Sequence, residues 1–167
     1  MSSNTIKELR QQILDNIEKS VANKKIELEK LEMDAIEIAK RLKDALDAKD
    51  LSENSAYDIA VAETKRNSKQ IALVRAFISS YDDFKKICEN KQSSEYISIG
   101  STIRIKVLDT DEEFVFVMVK DSLADGGAGA LSELSYPGKV LMGKTVNSEV
   151  LVRTSVMSYK CKILEVY

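Results

Sequence analysis

Histidine is absent from this chain of 167 residues, and cysteine occurs only twice. The absence of histidine excludes imidazole metal sites, Ser/His/Asp triads and Cys/His nucleophile pairs, and it removes the usual acid–base side chain at neutral pH. We therefore expect a chain with too little catalytic chemistry to work as an enzyme on its own. Cys88 and Cys161 lie far apart in the sequence. We expect both to be reduced thiols, because cytosolic proteins rarely keep structural disulfides.

Long apolar segments are missing as well. The sequence has no run of about 18 apolar residues that could cross a membrane, and its first residues lack the apolar core and cleavage site of a signal peptide. These absences predict a cytoplasmic protein with no membrane partner. A net charge of −2 also argues against broad electrostatic binding of phosphates, so any contact with nucleic acid should be local.

Glycine and proline do not occur between Asn4 and Lys49, where apolar residues recur at alternating steps of three and four. This spacing predicts a coiled-coil helix, and a second stretch from Ser55 to about Glu89 repeats it, with Asn67 at one of the seam positions. A lone helix of this kind would expose its seam, so we expect the second helix to fold back antiparallel on the first. A helix of about 45 residues spans roughly 65–70 Å, which predicts a long hairpin with its tip near residues 50–54.

The periodicity changes after residue 90. A polar segment at 91–98 predicts a linker, and the residues beyond it show the patterns of short strands, rich in β-branched and aromatic side chains. The predicted strands are Ile103–Val107, Phe114–Val119, Val150–Val152 and Tyr159–Val166, with one helical turn in Pro137–Gly143. The sequence therefore predicts an antiparallel coiled-coil hairpin over 1–90, followed by a small α+β domain over 99–167.

The hairpin break contains two acidic residues, Asp50 and Glu53. As an ordinary turn, Asp50 and Ser52 would cap the second helix, and Glu53 would complement the dipole of its first turn. The same segment resembles the tip motif of the bacterial Gre transcript-cleavage factors, D-L-x-E-N-x-x-Y between two coiled-coil helices. The matching residues are Asp50, Leu51, Glu53, Asn54 and Tyr57.

The second half of the chain extends this resemblance to the Gre family. Gly100–Ile103 is similar to the opening of the family's carboxy-terminal domain, Asp109–Glu113 resembles the turn that follows, and Gly138–Lys144 matches a G-K-A-L-L-G-K segment. The ending, Tyr159–Tyr167, looks like the family's closing strand. The resemblance runs from about Ala45 to the last residue.

The resemblance to the Gre family implies a carboxy-terminal domain with the FKBP-like fold that grips the rim of the secondary channel of bacterial RNA polymerase. The coiled coil would pass down that channel to the active centre, where the polymerase hydrolyses the 3′ part of a backtracked RNA. The resemblance assigns polymerase binding to a short run of five residues. They are Ser135, Tyr136, Pro137, Gly138 and Lys139.

The resemblance also gives the tip a chemical role. Asp50 and Glu53 would complete the shell of a loosely held Mg²⁺ that is shared with the polymerase, because hard divalent cations prefer carboxylate oxygen. Two solvated carboxylates make a poor site alone, so we expect no bound cofactor in the isolated protein. Ser52 and Asn54 would support these ligands, and Tyr57 would either brace the tip or stack on a base.

Positive charge is concentrated near the tip of an otherwise acidic chain. We expect Lys43, Lys49, Lys65 and Arg66 either to contact RNA phosphates or to form ordinary solvated helix faces. The sequence alone leaves both interpretations open.

Departures from the family pattern keep two other functions open. Lys49 stands where the family has glycine before the tip, Ala56 replaces an acidic residue, and Tyr136 replaces a proline. One alternative is a paralogue that occupies the same channel and inhibits or modulates the polymerase. The other is a coiled-coil adaptor without tip chemistry, for which replacing Asp50 and Glu53 by alanine would change nothing.

Overall fold

The structure, a computed structural model, describes residues 3–47, 55–90, 95–153 and 158–167. Within these ranges the chain forms two long helices, then five strands and one short helix. The helices are α1 (Ser3–Asp47), α2 (Ser55–Asn90) and α3 (Tyr136–Leu141). The strands are β1 (Thr102–Val107), β2 (Glu113–Val119), β3 (Ala130–Ser132), β4 (Glu149–Arg153) and β5 (Ser158–Val166).

These elements confirm the predicted fold class, a helical hairpin followed by a small α+β domain. The chain divides into two compact units, one formed by Ser20–Ser79 and the other by Met1–Lys19 together with Ser80–Tyr167. The base of the hairpin therefore belongs to the same unit as the strands. The domain boundaries drawn from the sequence, at 90 and 98, stay predictions. None of the described helices is both long enough and apolar enough to cross a membrane.

The unit Ser20–Ser79 contains the greater part of both long helices. Arg41 Nη2 lies 2.8 Å from Glu63 Oε2, and Arg75 Nη2 lies 2.7 Å from Glu32 Oε1. As the residue number rises along α1, the number of the facing residue on α2 falls. The two helices are therefore antiparallel, as predicted. The buried apolar side chains of this unit fall on the predicted seam; they are Val21, Ile38, Ala60 and Val74.

In the other unit, the two helix ends pair with each other and contact the strand-rich part. Tyr81 Oη donates a 2.8 Å hydrogen bond to Glu18 Oε1, across the base of the hairpin. Lys120, just after β2, places its Nζ 3.1 Å from Asp83 Oδ2 on α2. A β-carbon on Gly129 would stand 2.8 Å from Ile13 Cδ1, so α1 approaches the backbone before β3 closely.

The sheet has the strand order β3-β2-β1-β5-β4, and every neighbouring pair is antiparallel except β2 with β3. One face carries the main core, into which α3 packs through Leu141. Ile97 belongs to this core and donates its backbone N–H to Lys144 O at 2.9 Å. Cys161 is fully buried there, and burial raises the pKa of its thiol. Cys161 and Cys88 do not form a disulfide with each other.

Candidate functional site

The predicted acidic tip lies within residues 48–54, which are outside the described residues. Asp50, Ser52, Glu53 and Asn54, together with Lys49, lie outside the described residues, so their roles stay predictions. The flanking helices are described up to Asp47 and from Ser55 onward. Asp50 and Glu53 therefore stand in the sequence between two helices that pair antiparallel, and the hairpin tip itself stays a prediction.

Tyr57 lies in the first turn of α2 and is half-buried. Asp58 follows it in the same turn, where a carboxylate complements the positive end of the helix dipole. A half-buried ring is compatible with bracing and with base stacking, so both predicted roles of Tyr57 remain open.

The basic residues near this end of the hairpin differ in their surroundings. Lys43, Lys65 and Arg66 are exposed on α1 and α2. Arg41, by contrast, forms the 2.8 Å ion pair with Glu63, which offsets its charge. Among the predicted RNA-contacting residues, Lys43, Lys65 and Arg66 are thus described and exposed.

The described residues contain no cluster of three or more Asp, Glu, Cys or His side chains that could hold a metal ion. Two carboxylates at the tip, Asp50 and Glu53, have the donor chemistry that suits Mg²⁺, but they offer too few ligands for a closed site. Any ion held there would need further ligands from a partner.

The predicted polymerase-binding run begins in a loop that is organised by hydroxyl groups. Ser132 Oγ accepts hydrogen bonds from the backbone N–H groups of Leu134 at 2.9 Å and Ser135 at 3.2 Å, and it donates to Asp121 Oδ1 at 2.6 Å. Ser135 caps α3, because its Oγ accepts from the N–H of Gly138 at 3.0 Å. The Ser135 hydroxyl also donates to Ser132 O at 2.7 Å. Both hydroxyls are thus used within the loop.

Gly138 is buried, and a β-carbon there would stand 1.9 Å from Ser132 O. Only glycine permits this approach of α3 to the end of β3. Ser135 and Gly138 therefore shape the loop within this chain, and their part in polymerase binding stays a prediction. The side chains that face solvent are Leu134, which is 56% exposed, Tyr136, which is 54% exposed, and Lys139. We call these three residues the α3 surface.

The sequence did not indicate a second feature, an apolar cleft of about 470 Å³ that is lined by residues of β1, β2 and β5 and of the turn between β1 and β2. Its lining includes Phe114, Phe116 and Tyr159, and Asp109 and Glu112 contribute acidic groups. The two phenylalanine rings stack with centroids 6.1 Å apart. Side chains alternate between the two faces along β2, so the spacing of Phe114 and Phe116 by two residues could have predicted that both rings lie on one face. Their meeting with Tyr159 depends on how β2, β1 and β5 pair.

Residues 92–167 match the family model described as transcription elongation factor, GreA/GreB, C-term. A protein named transcription elongation factor GreA from Thermotoga petrophila is 37% identical over 117 residues, which cover 70% of this chain and 72% of that protein. A protein of the same name from Streptococcus pneumoniae is 35% identical over 134 residues, which cover 78% of this chain and 79% of that protein. Both alignments are longer than the strand-rich half, so they extend into the hairpin.

Solved structures of related name show a weaker likeness. GreA factor homolog 1 of Thermus thermophilus has a TM-score of 0.41 and 18% sequence identity, and the likeness covers 88% of this chain and 94% of that one. A GreA/GreB factor from Nitrosomonas europaea has a TM-score of 0.39 and 22% identity, over 51% of this chain and 76% of that one.

Proposed function

Because this chain belongs to the GreA/GreB family of transcription elongation factors, we propose that it binds bacterial RNA polymerase and stimulates cleavage of backtracked RNA by the polymerase. The hairpin enters the secondary channel, and the tip acts at the 3′ end of the RNA. The observation that carries this proposal is the place of Asp50 and Glu53, in the connection between two antiparallel helices that are described to Asp47 and from Ser55.

In this proposal the chain is an accessory factor, and the nuclease activity belongs to the polymerase. The chain has no histidine, and its described residues contain no cluster of three or more metal ligands. Asp50 and Glu53 would share one of two Mg²⁺ ions with the polymerase; of such a pair, one ion would activate the attacking water and the other would stabilise the leaving oxygen. Both carboxylates would complete and orient the ligand shell of the shared ion, and neither would bind the ion well without the polymerase.

The exposed cations on the two helices would support the same event. Lys43, Lys65 and Arg66 would attract the phosphates of the displaced RNA over distances within about 10 Å at moderate salt. Lys49 stands next to the tip in the sequence and would contribute there in the same way. This local arrangement suits a protein whose net charge of −2 gives it no general affinity for nucleic acid.

The strand-rich unit would supply the docking surface for the polymerase. The α3 surface offers an exposed tyrosine ring, a residue type enriched at protein interfaces, beside an aliphatic side chain and one cation. Ser135, Pro137 and Gly138 would act indirectly, because they fix the loop that presents Tyr136 and Lys139.

The experiment measures RNA shortening in a stalled, backtracked elongation complex of the cognate polymerase in the presence of magnesium. The Asp50→Ala/Glu53→Ala variant is compared with the wild type. Asp34→Ala/Glu37→Ala is the matched control, because it removes two exposed carboxylates at the same spacing from α1. We expect the wild type and the control to accelerate cleavage, and the tip variant to bind without doing so.

Other outcomes would contradict this function. A wild-type chain that binds but slows both cleavage and nucleotide addition would be an inhibitory paralogue. If the chain does not bind the polymerase, the proposed function fails and the interpretation as a coiled-coil adaptor is reopened.

A further inference from the structure

One polar side chain interrupts the apolar seam of the hairpin. Asn67 follows Ala60 by seven residues and precedes Val74 by seven, and all three are buried. Seven residues is the repeat of a coiled-coil core position. Asn67 is only 7% exposed, and it is the one buried polar residue among the described residues of α1 and α2.

The amide of Asn67 bonds across the hairpin. Its Nδ2 donates a 2.8 Å hydrogen bond to the backbone oxygen of Leu31 on α1. A buried amide needs such a partner, because an unsatisfied one costs the desolvation of the group. Since the acceptor is a backbone atom, the bond ties α2 to a fixed point of α1 and not to a mobile side chain.

The Arg41–Glu63 and Arg75–Glu32 ion pairs, which also link the helices in this unit, are weaker restraints. In the Arg41–Glu63 pair the side chains are 57% and 36% exposed, and in the Arg75–Glu32 pair they are 63% and 46% exposed. Exposed pairs of long side chains contribute little and tolerate displacement. Apolar seam contacts repeat every seven residues and so discriminate poorly between neighbouring registers.

A polar residue at a core position of a coiled coil lowers stability and selects one arrangement of the helices. We propose that Asn67 is a positioning residue, which bonds to Leu31, holds the paired helices in one register and so sets the relative position of Asp47 and Ser55, the helix ends beside the tip. This inference rests on the proposed function, in which Asp50 and Glu53 act on a reacting phosphate.

The test compares Asn67→Val, Asn67→Gln and Val74→Ala in the full chain. Valine removes the amide and keeps the seam apolar, and glutamine keeps an amide that can reach a carbonyl. Val74→Ala is the control, because it weakens the same seam and leaves Asn67 in place. The measurements are the melting temperature, the backbone amide NMR signals of residues beside the tip, such as Asp47 and Ser55, and the cleavage rate at saturating factor.

We expect Asn67→Val to melt at a higher temperature than the wild type and to show doubled or broadened signals beside the tip. Its saturating cleavage rate should fall by about tenfold or more, because misplacement of reacting groups by about an ångström has effects of that size. The concentration of factor that gives half-maximal cleavage should not change. Asn67→Gln should restore single signals and most of the rate, and Val74→Ala should melt lower while cleaving like the wild type.

Two results would overturn the inference. One is an Asn67→Val variant with single NMR signals and the wild-type cleavage rate. The other is a lower melting temperature for Asn67→Val than for the wild type, since Asn67 would then simply stabilise the hairpin. If the wild type does not stimulate cleavage at all, the proposed function fails, and the melting and NMR comparisons still decide the role of Asn67.

Discussion

The carbonyl oxygen of Ser132 occupies the space that a side chain on Gly138 would need, only 1.9 Å from the position of a β-carbon. The end of β3 and the first turn of α3 therefore touch through backbone atoms. Ser135 closes the same loop with its two hydrogen bonds, to Ser132 O and from the N–H of Gly138. Residues that the family resemblance links to polymerase binding thus have a structural task in this chain.

Substituting Gly138 should damage the fold more than substituting another loop glycine. We expect Gly138→Ala to lower the free energy of unfolding by about 3 kcal/mol or more, because the backbone has to move to admit a methyl group. Gly143→Ala is the control: its φ of +74° is strained for alanine, but nothing lies within 4 Å. It should cost about 1–2 kcal/mol. Urea unfolding of both variants measures the difference, and equal costs would contradict the proposed role of the close contact.

The contact between α1 and the loop before β3 predicts an energetic coupling. A β-carbon on Gly129 would stand 2.8 Å from Ile13 Cδ1, at a φ of +83°. We expect Gly129→Ala to cost about 2 kcal/mol in the wild type and about 0.5–1 kcal/mol less in an Ile13→Val background, which lacks the Cδ1 atom. A double-mutant cycle by chemical unfolding measures this coupling. The same cost in both backgrounds would mean that the helix does not press on the loop.

The base of the hairpin should lose stability at high pH through one phenol. Burial and the hydrogen bond to Glu18 raise the pKa of Tyr81 to about 12, above its ordinary value of 10.0. A raised pKa means that folding favours the neutral phenol, so its contribution is complete below pH 10 and is lost as the pH rises toward 12. The difference in unfolding free energy between the wild type and Tyr81→Phe should shrink across that window. A difference that stays constant would contradict the contact with Glu18.

Arg104 should control the ionisation of a glutamate on the neighbouring strand. Its Nη2 lies 2.8 Å from Glu113 Oε2 and its Nη1 lies 2.9 Å from Glu165 Oε1. The hydrogen bond from Arg104 lowers the pKa of Glu113. Glu113 therefore stabilises the fold at pH values above the pKa that its carboxyl has in the unfolded chain. This contribution is lost as the pH falls through the lower pKa of the folded chain. Arg104→Met should raise the pKa of Glu113 toward its ordinary value, as measured by NMR titration.

The control for Arg104 is Lys106→Met on the same strand, because Lys106 pairs with Asp111 at 2.8 Å. It should move the pKa of Glu113 much less. If both variants move that pKa equally, general charge and not the Arg104 hydrogen bond sets it.

The helices and longer strands could be predicted because their signals are local. The seam spacing around Ile38 and Val74 reports helical geometry directly, and the alternation in Ile103–Val107 reports a strand. Strand β3, by contrast, has three residues and pairs parallel with β2, so it has no periodicity of its own to detect. Strand β3 forms because the backbone of Val117–Val119 in β2 pairs with it.

The features that sequence reasoning missed depend on contacts between distant segments. The identities of Ser135 and Gly138 do not reveal that the carbonyl oxygen of Ser132 lies against both residues. The cleft forms because Phe114 pairs with Ile105 and Ile105 pairs with Ile163. This cross-strand register brings Tyr159 of β5 close to the phenylalanine rings of β2. Cross-strand register of this kind follows from the whole sheet and not from any one strand.

Whether Asp50 and Glu53 help to hold a catalytic ion can be measured through the magnesium dependence of RNA cleavage in backtracked complexes at saturating factor. If Asp50 and Glu53 help to hold the ion, the wild type should lower the Mg²⁺ concentration that gives half-maximal cleavage. The Asp34→Ala/Glu37→Ala control should do the same, and Asp50→Ala/Glu53→Ala should bind the polymerase yet leave that concentration where it stands without factor. A tip variant that shifts the magnesium dependence as strongly as the wild type would contradict the central claim.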